Sequence, residues 1–272
     1  MFLSPFIRKI TANNINIMTR LGSNSYLIGN HECALIDPGP NDPQHFENIL
    51  KALNNRILTH IFVTHHHQDH YGLAEKVSQH FNIPIYKGLS HSDISYRNTA
   101  LLYKTVSDKQ SFHSKEWTIQ AIHTPGHTND HYCFYLQQGN SIFTGDHIMA
   151  FSTSLIAPPE GDLTAYLSSL EKLYSYNAKC YYPGHGPNVN DPQKRTKALK
   201  IQRHILNRAI IECLKRKQHT ISSIRKTLYK RQSVAFNQTI ELNLYAHILY
   251  LIKRNIIKTN KENTLNSTYH LK

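Results

Sequence analysis

Apolar positions in the first ~190 residues come in short bursts bounded by Gly, Pro, Asn and Asp, the mark of strands alternating with brief amphipathic helices. NSYLIG (24–29) and CALIDPG (33–39) predict two strands joined through the polar turn Asn30–His31. HIFVTH (60–65) predicts a buried strand ending on His65, and IPIYKG (83–88) another. A polar stretch over 90–115 interrupts the pattern. Strands resume at WTIQAIHT (117–124), HYCFYL (131–136), SIFTGD (141–146) and CYYPG (180–184). Helices are predicted over 42–54, with Asp42 as cap and Pro43 at the first helical position, over 71–81, and over 163–176 behind Asp162. Strands followed by helices in both halves predict an α/β fold of two sheet–helix layers face to face.

PGHGPNVNDP (183–192) reads as a boundary loop. Beyond it the pattern turns helical, over 193–217, 220–230 and 238–254, the last with Leu242, Leu244, Ile248 and Leu251 apolar and His247 the polar exception. Residues 256–271 predict two strands around a polar turn. Helix–helix–helix–hairpin is the order of a winged helix, a variant of the helix-turn-helix. Two domains are therefore expected, 1–192 and 193–272.

Charge sharpens that boundary. Residues 1–192 carry 13 Lys and Arg against 15 Asp and Glu, whereas residues 193–272 carry 18 against 3, so the net +13 lies entirely in the C-terminal segment. Such asymmetry suits a polyanionic partner, nucleic acid foremost, with a solvated helical surface as the plain alternative. No apolar run approaches the ~20 residues of a membrane helix. MFLSPFIRKI lacks the layout of a signal peptide, so a cytoplasmic protein is expected. Cys33, Cys133, Cys180 and Cys213 are scattered without a CxxC pair and are read as structural.

The chemistry concentrates in VTHHHQDHYG (63–72). His65 and His67 can direct imidazoles to one ion, while Asp69 and His70 turn toward a second. HTPGHT supplies His127, FTGDH supplies Asp146 and YPGHG supplies His185. These imidazole and carboxylate donors suit zinc, with iron or manganese as alternatives. Each segment falls at the C-terminal end of a predicted strand, where loops converge on ligands in layered α/β proteins. Gly126, Gly145, Gly184 and Gly186 allow tight turns beside the donors.

HxHxDH with a downstream His, Asp and His resembles the metallo-β-lactamase superfamily over the first ~190 residues. The resemblance implies a four-layer αββα sandwich. It also implies one ion on His65, His67 and His127, a second on Asp69, His70 and His185, and Asp146 bridging them. A bridging carboxylate matches the thioesterases, lactonases and nucleases of the superfamily and disfavours β-lactam hydrolysis. HTPGHTNDH (123–131), GDHIM (145–149), YPGHGP (182–187) and YAHILYLIKRNIIK (245–258) further resemble the β-lactamase-like protein 2 group, which carries a C-terminal winged helix. That group's second Asp-Asp pair is Asn129-Asp130 here, a departure at residue 129.

Two ions a few Å apart can share a hydroxide of near-neutral pKa that attacks a carbonyl carbon or a phosphorus. Asp69 is the candidate to orient that hydroxide or take its proton. His131 is the candidate to contact the oxyanion or protonate the leaving group, with a supporting role as the alternative. His66 is expected to point away from the metals, and Asp37 to support them through a hydrogen bond. The leading expectation is an endoribonuclease on single-stranded RNA. The alternative is a thioester or ester hydrolase of glyoxalase II or acyl-thioesterase type, acting on an anionic thioester.

Overall fold

The computed structural model describes residues 2–4, 6–89, 103–259 and 262–272, so the first half of the polar stretch 90–115 lies outside the described residues. The chain divides into two compact units. The first comprises residues 1–124, 130–154 and 174–193, and the second residues 125–129, 155–173 and 194–272. The last cut falls where the composition shifts, but two earlier segments join the basic C-terminal chain.

The first unit holds two sheets. Strands β1 (Phe2–Ser4), β2 (Ile7–Thr11), β3 (Asn24–Ile28), β4 (Glu32–Ile36), β5 (Ile57–Phe62), β6 (Ile85–Lys87) and β7 (Tyr103–Thr105) pair in chain order. Strands β8 (Ser111–His113), β9 (Thr118–His123), β10 (Tyr132–Leu136), β11 (Ser141–Gly145) and β12 (Cys180–Pro183) form the second sheet. Pairing is antiparallel except for β4–β5, β5–β6, β6–β7 and β11–β12, which run parallel.

Alternation along β3 to β5 sorts side chains onto two faces. Tyr26, Ile28, Ala34, Ile36 and Phe62 pack with Ile119, Phe134 and Phe143 of the second sheet and with Trp117 just before β9. Leu27, Cys33, Leu35 and Ile61 face the other way, against Phe46, Ile49 and Leu53 of helix α1 (Pro43–Leu53) and Val77 of α3 (Ala74–Phe81). Asp42 caps α1 as expected, accepting from the Gln44 amide at 2.9 Å with Pro43 behind it.

Two expected elements differ. The strand meant to end on His65 stops at Phe62, because the Thr64 amide donates to Asp37 Oδ1 (2.7 Å) rather than to a neighbouring strand. The helix expected over 71–81 is two, α2 (Gln68–Tyr71) and α3. They part because the Leu73 amide donates to the Gly39 carbonyl (3.0 Å), outside any helix. Strands β1, β2, β7 and β8 had no counterpart in the apolar pattern.

The second unit contains most of α4 (Leu163–Ser175), all but the first two residues of α5 (Pro192–Lys215), and all of α6 (Ile221–Leu228), α7 (Asn237–Lys253) and the antiparallel pair β13 (Ile257–Thr259) and β14 (Tyr269–Leu271). Its core gathers Ile210, Leu214, Ile224, Leu244, Ile248, Leu251 and Tyr269. Thr220 and Ser223 form a capping box that starts α6. Tyr229, Tyr245 and Tyr250 pack against this core. His247 is fully buried, its Nδ1 2.7 Å from Asn207 Oδ1. No helix among the described residues is long and apolar enough to cross a membrane.

Candidate metal centre

Parallel pairing of β4 with β5 and of β11 with β12 brings their C-terminal ends to common edges. Asp37 follows β4, His65 and His67 follow β5, Asp146 follows β11 and His185 follows β12. Two backbone bonds join the sheets there, Asn24 N to Gly184 O at 2.7 Å and Tyr132 N to Thr64 O at 2.8 Å. Asp69 and His70 arrive on α2, the single turn after the His-rich loop.

Four of these groups converge closely. Asp69 Oδ2 lies 3.2 Å from His185 Nε2 and 3.6 Å from His70 Nε2. Asp146 Oδ1 lies 3.3 Å from His185 Nε2 and 3.4 Å from His70 Nε2. The donor atoms of Asp69, His70 and His185 fall within 4.8 Å of one another, and so do those of His65, His70 and Asp146. His65 Nε2 is 3.0 Å from His67 Nδ1. Six of the seven expected ligands thus gather in the first unit.

The seventh, His127, belongs to the short segment 125–129 of the second unit, where it is buried with Nδ1 2.7 Å from the Leu155 carbonyl.

The outer bonds of four of the five imidazoles follow one rule, His67 being the exception with Nδ1 toward His65. Nδ1 meets the Asp37 carboxylate in His70 (2.8 Å), the Thr64 hydroxyl in His65 (3.0 Å) and the Gly22 carbonyl in His185 (3.1 Å). With His127 on Leu155, four rings turn Nδ1 to an oxygen and keep Nε2 for a ligand, the usual arrangement of metal-binding histidines. His70 Nε2 is buried without a hydrogen-bond partner and flanked by two carboxylates. Imidazole nitrogen and carboxylate oxygen at this spacing fit one or two divalent ions of the zinc, iron or manganese kind.

Electrostatics agree with the geometry. Burial opposes charge on His70, yet the surrounding Asp69, Asp146 and Asp37 hold its pKa well above the ordinary imidazole value. His185 likewise overcomes burial, raised to about 9 chiefly by Asp146. Burial also opposes ionisation of Asp69 and Asp146, and the facing His70 and His185 nonetheless hold both below the usual carboxylate range. The carboxylates make this a place for positive charge.

Several contributors escaped the sequence reading. Asn24 Nδ2 donates to the carbonyls of Pro183 and Gly186, both at 3.0 Å, and Tyr26 Oη donates to Pro183 O at 2.7 Å, fixing the loop that carries His185. Ser23 Oγ lies 3.4 Å from Asp69 Oδ2. No spacing signal could reveal them, since Asn24 and Tyr26 act on a loop more than 150 residues away. Gly184 is required by contact, because a Cβ there would strike the His70 ring and lie 3.0 Å from Asp146 Oδ1.

Asp37 makes the supporting bond expected of it, held in a left-handed conformation (φ 50°) that aims both oxygens at Thr64 and His70. His66 turns from the cluster to Asp130, with Nδ1 3.0 Å from Oδ1. His131 is fully buried, its Nδ1 2.9 Å from Thr124 Oγ1 and its ring centre 5.2 Å from that of His65.

The model of the metallo-beta-lactamase superfamily matches residues 18–185. The chain belongs to that superfamily. A lactamase-like protein of Pestalotiopsis microspora is 32% identical over 225 residues, 79% of this chain and 66% of the relative. An atrochrysone carboxyl ACP thioesterase of Aspergillus terreus is 32% identical over 192 residues, 70% of this chain and 57% of the relative. The chain therefore spans two thirds or less of the length of these relatives.

Among solved structures, a beta-lactamase domain protein from Burkholderia ambifaria matches with a TM-score of 0.86 at 15% identity, covering 100% of this chain and 93% of that one. A metallo-beta-lactamase family protein from Thermus thermophilus matches with a TM-score of 0.80 at 19% identity, covering 99% and 100%. At these identities they bear on the fold alone, an α/β metallo-beta-lactamase fold. The relatives carry lactamase-like and thioesterase names, not that of the β-lactamase-like protein 2 group singled out from the motifs. The correction has a plain cause: ligand residues common to a whole superfamily do not separate its branches.

Proposed function

We propose that the chain is a metal-dependent thioester hydrolase acting on an acyl thioester. The observation that carries this reading is a set of exposed apolar residues on the loop that leads into the cluster. Ile15, Ile17, Met18 and Leu21 are 65, 51, 49 and 60% exposed on the loop between β2 and β3. That loop ends at Gly22 and Ser23, which touch His185 and Asp69. Exposed apolar side chains on a loop that leads into the site suit an acyl group better than a phosphate backbone. The thioesterase name of the Aspergillus terreus relative supports the same choice.

In this reading His65, His67 and His127 would hold one ion, Asp69, His70 and His185 a second, and Asp146 both. Such ions supply a water-derived nucleophile at neutral pH and polarise the thioester carbonyl. Asp37, Thr64 and the Gly22 carbonyl keep the imidazoles oriented. Asp69, whose side chain is 29% exposed, exchanges a proton with solvent at its carboxylate. His131, buried behind His65, positions that ring rather than meeting the substrate.

The endoribonuclease reading keeps one support, the +15 balance of residues 193–272. The winged-helix reading of that segment stands on the order of its elements. A metal-reconstituted assay against short acyl thioesters and single-stranded RNA separates the two. Thioester turnover without RNA cleavage is expected. RNA cleavage with no thioester turnover overturns the proposal.

A further inference from the structure

The second unit contains a small cleft, open to solvent, between the start of α4 and the end of α7. Pro158, Leu163, Ala246 and Leu249 give its lining apolar surface, Thr164 and Tyr250 bring hydroxyls, and Lys253 brings a cation. The Arg254 guanidinium lies 5.5 Å from the centre of the Tyr250 ring and steadies that side chain. Asp162 also lines the cleft, but its Oδ1 accepts from the Ala165 amide at 2.9 Å as the cap of α4.

The cleft is tied to the loop that carries His127. The Asp162 amide donates to the Gly126 carbonyl at 3.0 Å, and His127 Nδ1 is 2.7 Å from the carbonyl of Leu155. Pro158 follows Leu155 by three residues, a span of at most about 11 Å of extended chain. A molecule reacting at a metal on His127 therefore has the cleft within reach of one flexible arm.

Resting on the thioesterase reading, we infer that this cleft receives the thiol-side arm of the substrate, a flexible amide-bearing chain ending in a phosphate. The apolar wall covers the alkyl segments, Thr164 and Tyr250 meet the amides, and Lys253 meets the phosphate. An acyl chain would leave the hydroxyls and the Lys253 ammonium without a role.

The test compares one acyl group carried on phosphopantetheine with the same group on N-acetylcysteamine, in the metal-loaded full chain. Two variants are used, Leu249→Trp to fill the cleft and Lys253→Glu to reverse charge in its lining, with metal content checked for each. Each variant is expected to raise KM for the phosphopantetheine thioester about tenfold, with kcat and all kinetics on the short thioester within twofold. Calorimetric binding of free phosphopantetheine should be lost in Lys253→Glu. Unchanged KM, or equal changes on both substrates, overturns the cleft assignment and leaves the thioesterase reading standing. Binding of phosphopantetheine by a chain that hydrolyses neither thioester overturns the thioesterase reading and leaves the cleft assignment standing. Neither binding nor hydrolysis overturns both.

Discussion

His70 in the first unit and His247 in the second are both 0% exposed, and the two regions push them in opposite directions. Around His247, burial dominates and Arg203 adds to it, so the imidazole pKa sits well below its ordinary value. Around His70, burial acts in the same sense, but three carboxylates reverse the outcome. His45 shows that the unit is not the cause. It lies in the first unit with only the weak help of Asp42, and burial takes it down to about 4. Burial by itself makes a histidine neutral. Carboxylates that remain ionised around a buried histidine mark a position built for a cation.

The widest break in that comparison is Asp146→Ala. Removing the carboxylate shared by His70 and His185 should abolish tight metal binding and lower hydrolysis at least about a thousandfold, some 4 kcal/mol in transition-state terms. Metal content by atomic absorption, read beside turnover, checks it. Retained metal with retained activity would mean that Asp146 is not a ligand.

Asp37→Asn is a finer cut, since it leaves the size of the side chain and removes the charge that faces His70 Nδ1 and Thr64. Loss of an outer carboxylate of this kind costs about 10–100-fold in metal affinity. Competition with a chelator measures it, and an affinity within twofold of the parent would remove Asp37 from the centre.

The smallest effect is in pH dependence, where the two regions should differ in sign. His247 gains a proton on unfolding below about pH 6.5, so its burial adds stability at neutral pH that is lost as pH falls. His185 behaves oppositely in the metal-free protein: its contribution is complete below about pH 6.5 and is lost as pH rises through about 9. His247→Gln should flatten the acid side of the metal-free stability curve by about 1 kcal/mol per pH unit and leave the alkaline side alone. Denaturant unfolding at several pH values reads both limbs.

How much of this was legible beforehand depended on range. The Asp42–Pro43 start of α1 and the apolar runs of β3, β5 and β9 to β12 are local signals, and the sequence pattern located them. Strand β2 was missed because Arg8 and Lys9 break its alternation, and β7 and β8 because three residues carry no period. The seven ligand candidates were legible from residue type and spacing, and six of them converge within the first unit. The exposure of Ile15, Ile17, Met18 and Leu21 gave no warning, because an isoleucine reads the same whether it is covered or exposed.

The sequence by itself determined the donor set, the strand and helix vocabulary and the concentration of basic charge after residue 193. Those are properties of residue type and of neighbours a few positions apart. Only the tertiary structure decided which Nδ1 atoms are engaged, that Asn24 and Tyr26 hold the His185 loop, and that segments 125–129 and 155–173 pack with the C-terminal chain. Each of these depends on parallel strand ends and on side chains meeting across long stretches of chain, and no local period encodes such meetings.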